Sequence, residues 1–167
     1  MEREYDKELL DFIQNSPSVY HMIAGQKQRL LAAGYTQLLE SETWKLRPGG
    51  KYFLTRNGSA IVAFRVPEGP FRGFMIMASH SDSPALKVKE HPEITVEETY
   101  RKLNVELYGG ALLAPWFDRP LSVAGRLFLR TAEGVRPCLV DAGRDLVLIP
   151  SLAIHMNREV NAGYEYR

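Results

Sequence analysis

Near the start of the chain the apolar residues Leu9, Leu10, Phe12 and Ile13 recur at helical spacing, and "NSPS" at 15–18 breaks the pattern. A second helix is expected after it. Ser16 reads as its N-cap with Pro17 at the first helical position, Val19, Met22 and Ile23 turn inward, Leu30 and Leu31 continue the stripe, and Gly34 ends it. "KYFLTRNGSAIVAFRV" at 51–66 then holds two β-rich runs around Asn57-Gly58, a pair that tolerates the positive φ a tight hairpin requires. The following apolar run, 74–79, is bounded by Gly73 and Pro84 and reads as a buried strand. The first part therefore predicts helix, helix, hairpin and strand.

After Lys89 the texture changes. "EHPEITVEETYRKLNVELYGG" and "LSVAGRLFLRTAEGVRPCLVD" alternate polar and apolar positions with short turns and no long helical pattern, which predicts a mostly β region. Pro92 and the charges around it mark the expected connection at 90–95, dividing the chain into 1–91 and 92–167. There is no internal repeat and no low-complexity segment. The closing "VLIPSLAIHMNREVNAGYEYR" predicts neither a final strand nor a capped helix, so the chain is expected to break off inside a larger unit.

Composition narrows the classes of function. A hydrophobic fraction of 45% with 25% charged residues is that of a globular protein, and a net charge of +1 offers no electrostatic footing for nucleic acid or an anionic membrane. One cysteine, Cys138, makes no internal disulfide, so nothing calls for an oxidising compartment. The opening "MEREYDKELLDFIQ" is charged from its second residue and no later run approaches membrane-spanning length, so a cytoplasmic protein is expected.

Polar chemistry begins where the 74–79 run stops. His80 and Asp82 stand two residues apart, so at a strand end both side chains can face one pocket, and in open α/β sheets ligands sit beyond the carboxyl ends of strands. A neutral imidazole binds a divalent metal, and a carboxylate beside it can set its tautomer. The residues alone leave open a loop histidine hydrogen-bonded to an acid. Ser79, Ser81 and Ser83 surround the histidine, but "SHSDSP" lacks the glycine neighbours of a nucleophile elbow. His155 ends the apolar run "IPSLAIH", where packing alone would account for it, while His21 and His91 read as structural or solvated and Cys138 as a small buried hydrophobe. Arg119 in "PWFDRP" could hold a carboxylate or pair with Asp118.

Four blocks, "GGKYFLTRNGSAIVAFRV", "ASHSDSPALKVK", "LNVELYGGALLAPWFDRPLSVAGRL" and "IPSLAIHMNREVN", resemble in order and spacing those of the aspartyl aminopeptidase family, zinc exopeptidases with a dinuclear metal site. The resemblance runs from about Gly49 onward and covers only the N-terminal portion of such enzymes. It implies an α/β fold: the start of a mixed α/β zinc-exopeptidase domain at 1–91, followed by part of a β-rich inserted dimerisation domain at 92–167. "SHSDSP" is similar to the family's His-Thr-Asp-Ser-Pro motif with Ser81 replacing threonine, which implies His80 as a metal ligand and Asp82 as a catalytic residue, the acidic side chain that orients the site. His155 matches the histidine of the "Leu-Ala-Ile-His" block, implying a zinc ligand or a substrate-facing residue that reaches a neighbouring subunit's site. We expect the second, with His80 and His155 not sharing one ion.

The resemblance also implies what the sequence lacks. The bridging carboxylates, the glutamate base and the last histidine of the two-metal site belong to later blocks that do not occur here. The expected function is therefore that of a fragment or truncated form of a metallo-aminopeptidase that removes N-terminal, acidic residues from peptides. It is expected to be inactive alone and to form homo-oligomers through the β-rich part. The alternative is a non-catalytic oligomerisation or binding module on the same scaffold.

Overall fold

The computed structural model describes residues 2–163, so the expectation for the last residues, 164–167, lies outside the described residues. The chain divides into two units: Met1–Asp82 with Ala124–Asp141, and Ser83–Val123 with Ala142–Arg167.

The first unit begins with two helices, α1 (Glu2–Gln14) and α2 (Val19–Ala32). The N-cap of α2 is Ser18 rather than Ser16. Ser18 has the extended backbone a cap needs, φ −144° and ψ 162°, and its side chain accepts from the His21 amide, whereas the Ser16 hydroxyl donates back to Phe12 O at the end of α1. At the other end Gly34, at φ +78°, closes the helix: its amide reaches Leu31 O and the Tyr35 amide reaches Leu30 O, the double bond of a Schellman stop. The predicted halt at Gly34 is thus observed.

A three-stranded sheet follows, made of β1 (Thr36–Gln37), β2 (Lys51–Arg56) and β3 (Ala60–Arg65) in the order β1-β2-β3. β2 and β3 form the expected antiparallel hairpin, with Asn57 and Gly58 at φ 53° and 65° in the turn. The core of this unit gathers on β2. Phe53 is fully buried, Tyr52 and Ile23 nearly so, and Phe64 and Trp44 extend the aromatic cluster around Tyr52.

Gly50 shows how tight that corner is. A Cβ at this position would lie 2.5 Å from the Tyr52 ring, whose hydroxyl accepts from the Arg47 amide at 2.9 Å. Gly50→Ala is therefore expected to destabilise the unit by about 1–3 kcal/mol, the usual range for overpacking. Urea denaturation of the variant checks this, and an unchanged midpoint would count against the packing.

Two later strands, β7 (Ala124–Thr131) and β8 (Gly134–Asp141), form a hairpin that belongs to this unit. Arg126 of β7 holds it there, its guanidinium 4.0 Å from the centre of the Tyr20 ring on α2 and hydrogen-bonded to Asn57 O in the β2–β3 turn.

The second unit contains β4 (Ala85–Val96) paired antiparallel with β5 (Tyr100–Tyr108), and β6 (Pro120–Leu121) paired with β9 (Val147–Leu148). The β texture expected after Lys89 is present, but 90–95 is the interior of β4 and not a connection. The ladder slips between Val88 and Glu93, so Pro92, which has no amide to donate, sits where no rung is required.

The 74–79 run also departs from expectation. It forms no strand, and Phe74, Met75, Ile76 and Met77 are 81%, 104%, 83% and 99% exposed. A run apolar on both faces needs strands on both sides, and among the described residues none pairs with it. The accessible surface of 14508 Å² points the same way, since two separate compact bodies of these sizes would together expose about 10,000 Å². Much apolar surface in this chain has no cover among the described residues.

Candidate functional site around His80 and the His155 turn

His80 follows the uncovered run, not the end of a paired strand. Its anchorage comes from the neighbouring residue: the Ser81 hydroxyl donates to Ser59 O at 2.9 Å, fastening "SHSD" to the turn of the β2–β3 hairpin. Local folding of the hairpin thus sets where His80 begins. The His80 side chain is 84% exposed.

The structure brings His80 and Asp82 together. His80 Nδ1 lies 2.9 Å from the backbone oxygen of Asp82 and 3.4 Å from its carboxylate Oδ1. A carbonyl oxygen can only accept, so Nδ1 carries a proton and donates, and in the neutral ring that leaves Nε2 with its lone pair. That is the tautomer a divalent metal takes, with the opposite nitrogen held by a protein oxygen. The orienting group is chiefly the Asp82 main chain, with the carboxylate as a second, longer contact. Spacing at two residues suggested the pair, but not that the backbone would make its shorter contact.

As a metal site the arrangement is incomplete. His80 fits one ligand of zinc, yet no group of three His, Cys, Asp or Glu side chains able to hold an ion occurs among the described residues. A catalytic zinc commonly takes three protein ligands. The residues present do not make the site by themselves.

His155 belongs to the second unit and lies in a turn at 153–156, closed by the Met156 amide on Ala153 O at 2.8 Å. What precedes the turn is fastened by Asp118. This residue sits at φ 54°, its amide donates to Ile149 O at 2.9 Å, and its carboxylate accepts from both the Ser151 amide, at 2.9 Å, and the Ser151 hydroxyl. The Ser151 hydroxyl first, and its amide second, hold the Asp118 carboxyl below the usual carboxylate range against a small opposing effect of burial. The pairing of Asp118 with Arg119 is not what the structure shows: Arg119 donates to Pro115 O at 3.4 Å. Nothing in the sequence linked Asp118 to Ser151, which stand 33 residues apart.

The remaining histidines and the cysteine lie elsewhere. His21 Nδ1 bonds the Ser18 hydroxyl at 2.8 Å within the α2 cap, the His91 carbonyl accepts from Asn104 in the β4 bulge, and Cys138 is half-buried on β8. No helix among the described residues is long and apolar enough to cross a membrane.

Comparison with known proteins adds a lineage to this geometry. The family model described as aminopeptidase I zinc metalloprotease (M18) matches residues 12–167. The probable M18 family aminopeptidase 2 of Clostridium acetobutylicum is 45% identical over 168 residues, covering 98% of this chain and 39% of the relative. A chain of the cryo-EM structure of the Ape4 and Nbr1 complex superposes with a TM-score of 0.90 at 37% identity, over 96% of this chain and 31% of that one. The S. cerevesiae mApe1 dodecamer gives 0.81 at 30% identity, over 89% and 36%. The chain spans about two fifths of the length of the curated relatives it matches.

Proposed function

Since the chain belongs to the aminopeptidase I zinc metalloprotease family, M18, we propose that it supplies the amino-terminal part of a zinc-dependent aminopeptidase that removes acidic N-terminal residues from peptides. The observation that carries this reading is the 2.9 Å contact of His80 Nδ1 with the Asp82 carbonyl oxygen, which engages one ring nitrogen and leaves Nε2 of the neutral ring to bind a metal. His80 is then one metal ligand of a two-metal site, Asp82 orients its ring, and the other ligands and the glutamate base come from outside this sequence. When bound in such a site, zinc polarises the scissile carbonyl and lowers the pKa of its water. The chain's own contribution is to hold His80 in one orientation, with its Ser81 neighbour pinned to the hairpin turn. The acidic preference rests on the resemblance of the four sequence blocks.

The same reading gives His155 a place at a neighbouring subunit's site, or as a zinc ligand, and makes the β-rich unit an assembly region of a homo-oligomer. The dodecamer found for the similar mApe1 supports assembly. One observation favours a second reading, a non-catalytic binding module: the exposed apolar residues at 74–77 need a covering surface whether or not chemistry follows.

A chimera separates the two. Residues 1–167 joined to the remainder of the Clostridium acetobutylicum relative are expected to hydrolyse aspartyl and glutamyl p-nitroanilides in a zinc- or manganese-dependent manner. A folded chimera that binds metal and turns over neither substrate would leave the module reading in its place.

A further inference from the structure

We propose that Asp118 is a positioning residue for His155, setting the point from which the His155 turn starts. The inference rests on the reading of His155 as a residue of the active site. Its basis is the way the second unit closes around 146–151. β6 and β9 supply only two pairs, Pro120 with Leu148 and Leu121 with Val147, extended by the Leu146 amide on Leu121 O at 2.9 Å. A ladder so short frays readily at its ends.

Asp118 prolongs it in the direction of His155. With φ at 54°, a left-handed conformation that Asp adopts more readily than most residues, the Asp118 main chain turns its amide onto Ile149 O. Its carboxylate then takes the place of a further rung by accepting from the Ser151 amide and hydroxyl together. Three hydrogen bonds from one residue thus fix 149–151. Only Leu152, Ala153 and Ile154 separate that clamp from His155, and the turn bonds of Met156 and Asn157 on Ala153 O hold the last two in the same turn as His155. The point from which the His155 turn starts is then set by Asp118.

The test uses the chimera described above and the 167-residue chain. In the chimera Asp118→Ala is expected to lower kcat/KM at least tenfold. Asp118→Asn, which keeps the acceptor for the Ser151 amide, should recover part of the loss. In a His155→Ala background Asp118→Ala should add less than a twofold further loss, because two residues acting through one group are not additive. If His155→Ala leaves kcat/KM unchanged, the active-site reading of His155 falls and the positioning role falls with it. If His155→Ala inactivates while Asp118→Ala is silent or fully additive, only the positioning role falls. Hydrogen exchange followed by mass spectrometry gives an arm that needs no activity. In the 167-residue chain Asp118→Ala should speed exchange across 149–157 at least tenfold and leave 51–65 unaltered, and unchanged exchange at 149–157 would overturn the proposal.

Discussion

Incubated with zinc or manganese and aspartyl or glutamyl p-nitroanilide, the purified 167-residue chain is expected to show no metal-dependent turnover. Metal-assisted hydrolysis needs an ion held with an open position and a base that takes the proton from its water. Among the described residues His80 and Asp82 meet, but no third His, Cys, Asp or Glu joins them into a group able to hold an ion. A lone exposed imidazole binds zinc weakly and orients nothing around it. The expected rate is therefore lower than that of the chimera by about 10⁶ or more, the span of an ordinary enzymatic acceleration. Metal-dependent turnover by the isolated chain that disappears in a His80→Ala variant would refute this.

The second large effect concerns the scaffold under His80. Phe53 is the fully buried side chain at the centre of β2, and Ile23 and Tyr52 are the other apolar residues counted as buried among the described residues. Phe53→Ala removes the ring and leaves a cavity where it was fully buried, at a cost of about 3–5 kcal/mol. Ordinary domains are stable by roughly 5–15 kcal/mol, and a unit with so small a core belongs at the lower end. The variant is expected to unfold the β1–β3 sheet under native conditions. Loss of the sheet also removes the Ser59 carbonyl that anchors Ser81, so His80 loses its attachment together with the core. Far-UV circular dichroism and urea denaturation provide the check. A midpoint displaced by the equivalent of less than about 1 kcal/mol would mean that Phe53 is not the keystone of this unit.

The unlike outcomes for 51–65 and 74–79 share one physical cause. Asn57-Gly58 specifies a hairpin through its own φ preferences, and the two strands that pair lie on either side of it, so all of the information is local. The apolar run at 74–79 has equally strong β character, but a ladder needs a second strand, and none of the described residues supplies it. Its exposed side chains are the residue of that unmet requirement. Pro92 repeats the point in reverse: proline and charge read as a connection, yet a slip in the register against Leu103 and Val105 lets β4 pass through it.

Several features of this protein were determined by sequence alone because each depends on a few neighbouring residues. These are the two helices, the stop at Gly34, the hairpin at Asn57-Gly58, the alternation that builds β5, β7 and β8, and the "SHSDSP" and "LAIH" blocks that carry the resemblance. Tertiary structure decided what depends on partners far along the chain. It placed the β7–β8 hairpin with the first unit through Arg126 and Tyr20, tied Ser81 to Ser59, and joined Asp118 to Ser151 across 33 residues. Even at short range it put the Asp82 main-chain oxygen closer to His80 Nδ1 than the carboxylate. Periodicity and turn chemistry report local backbone preference, whereas a hydrogen bond between distant residues exists only once the chain has brought them within 3 Å of each other.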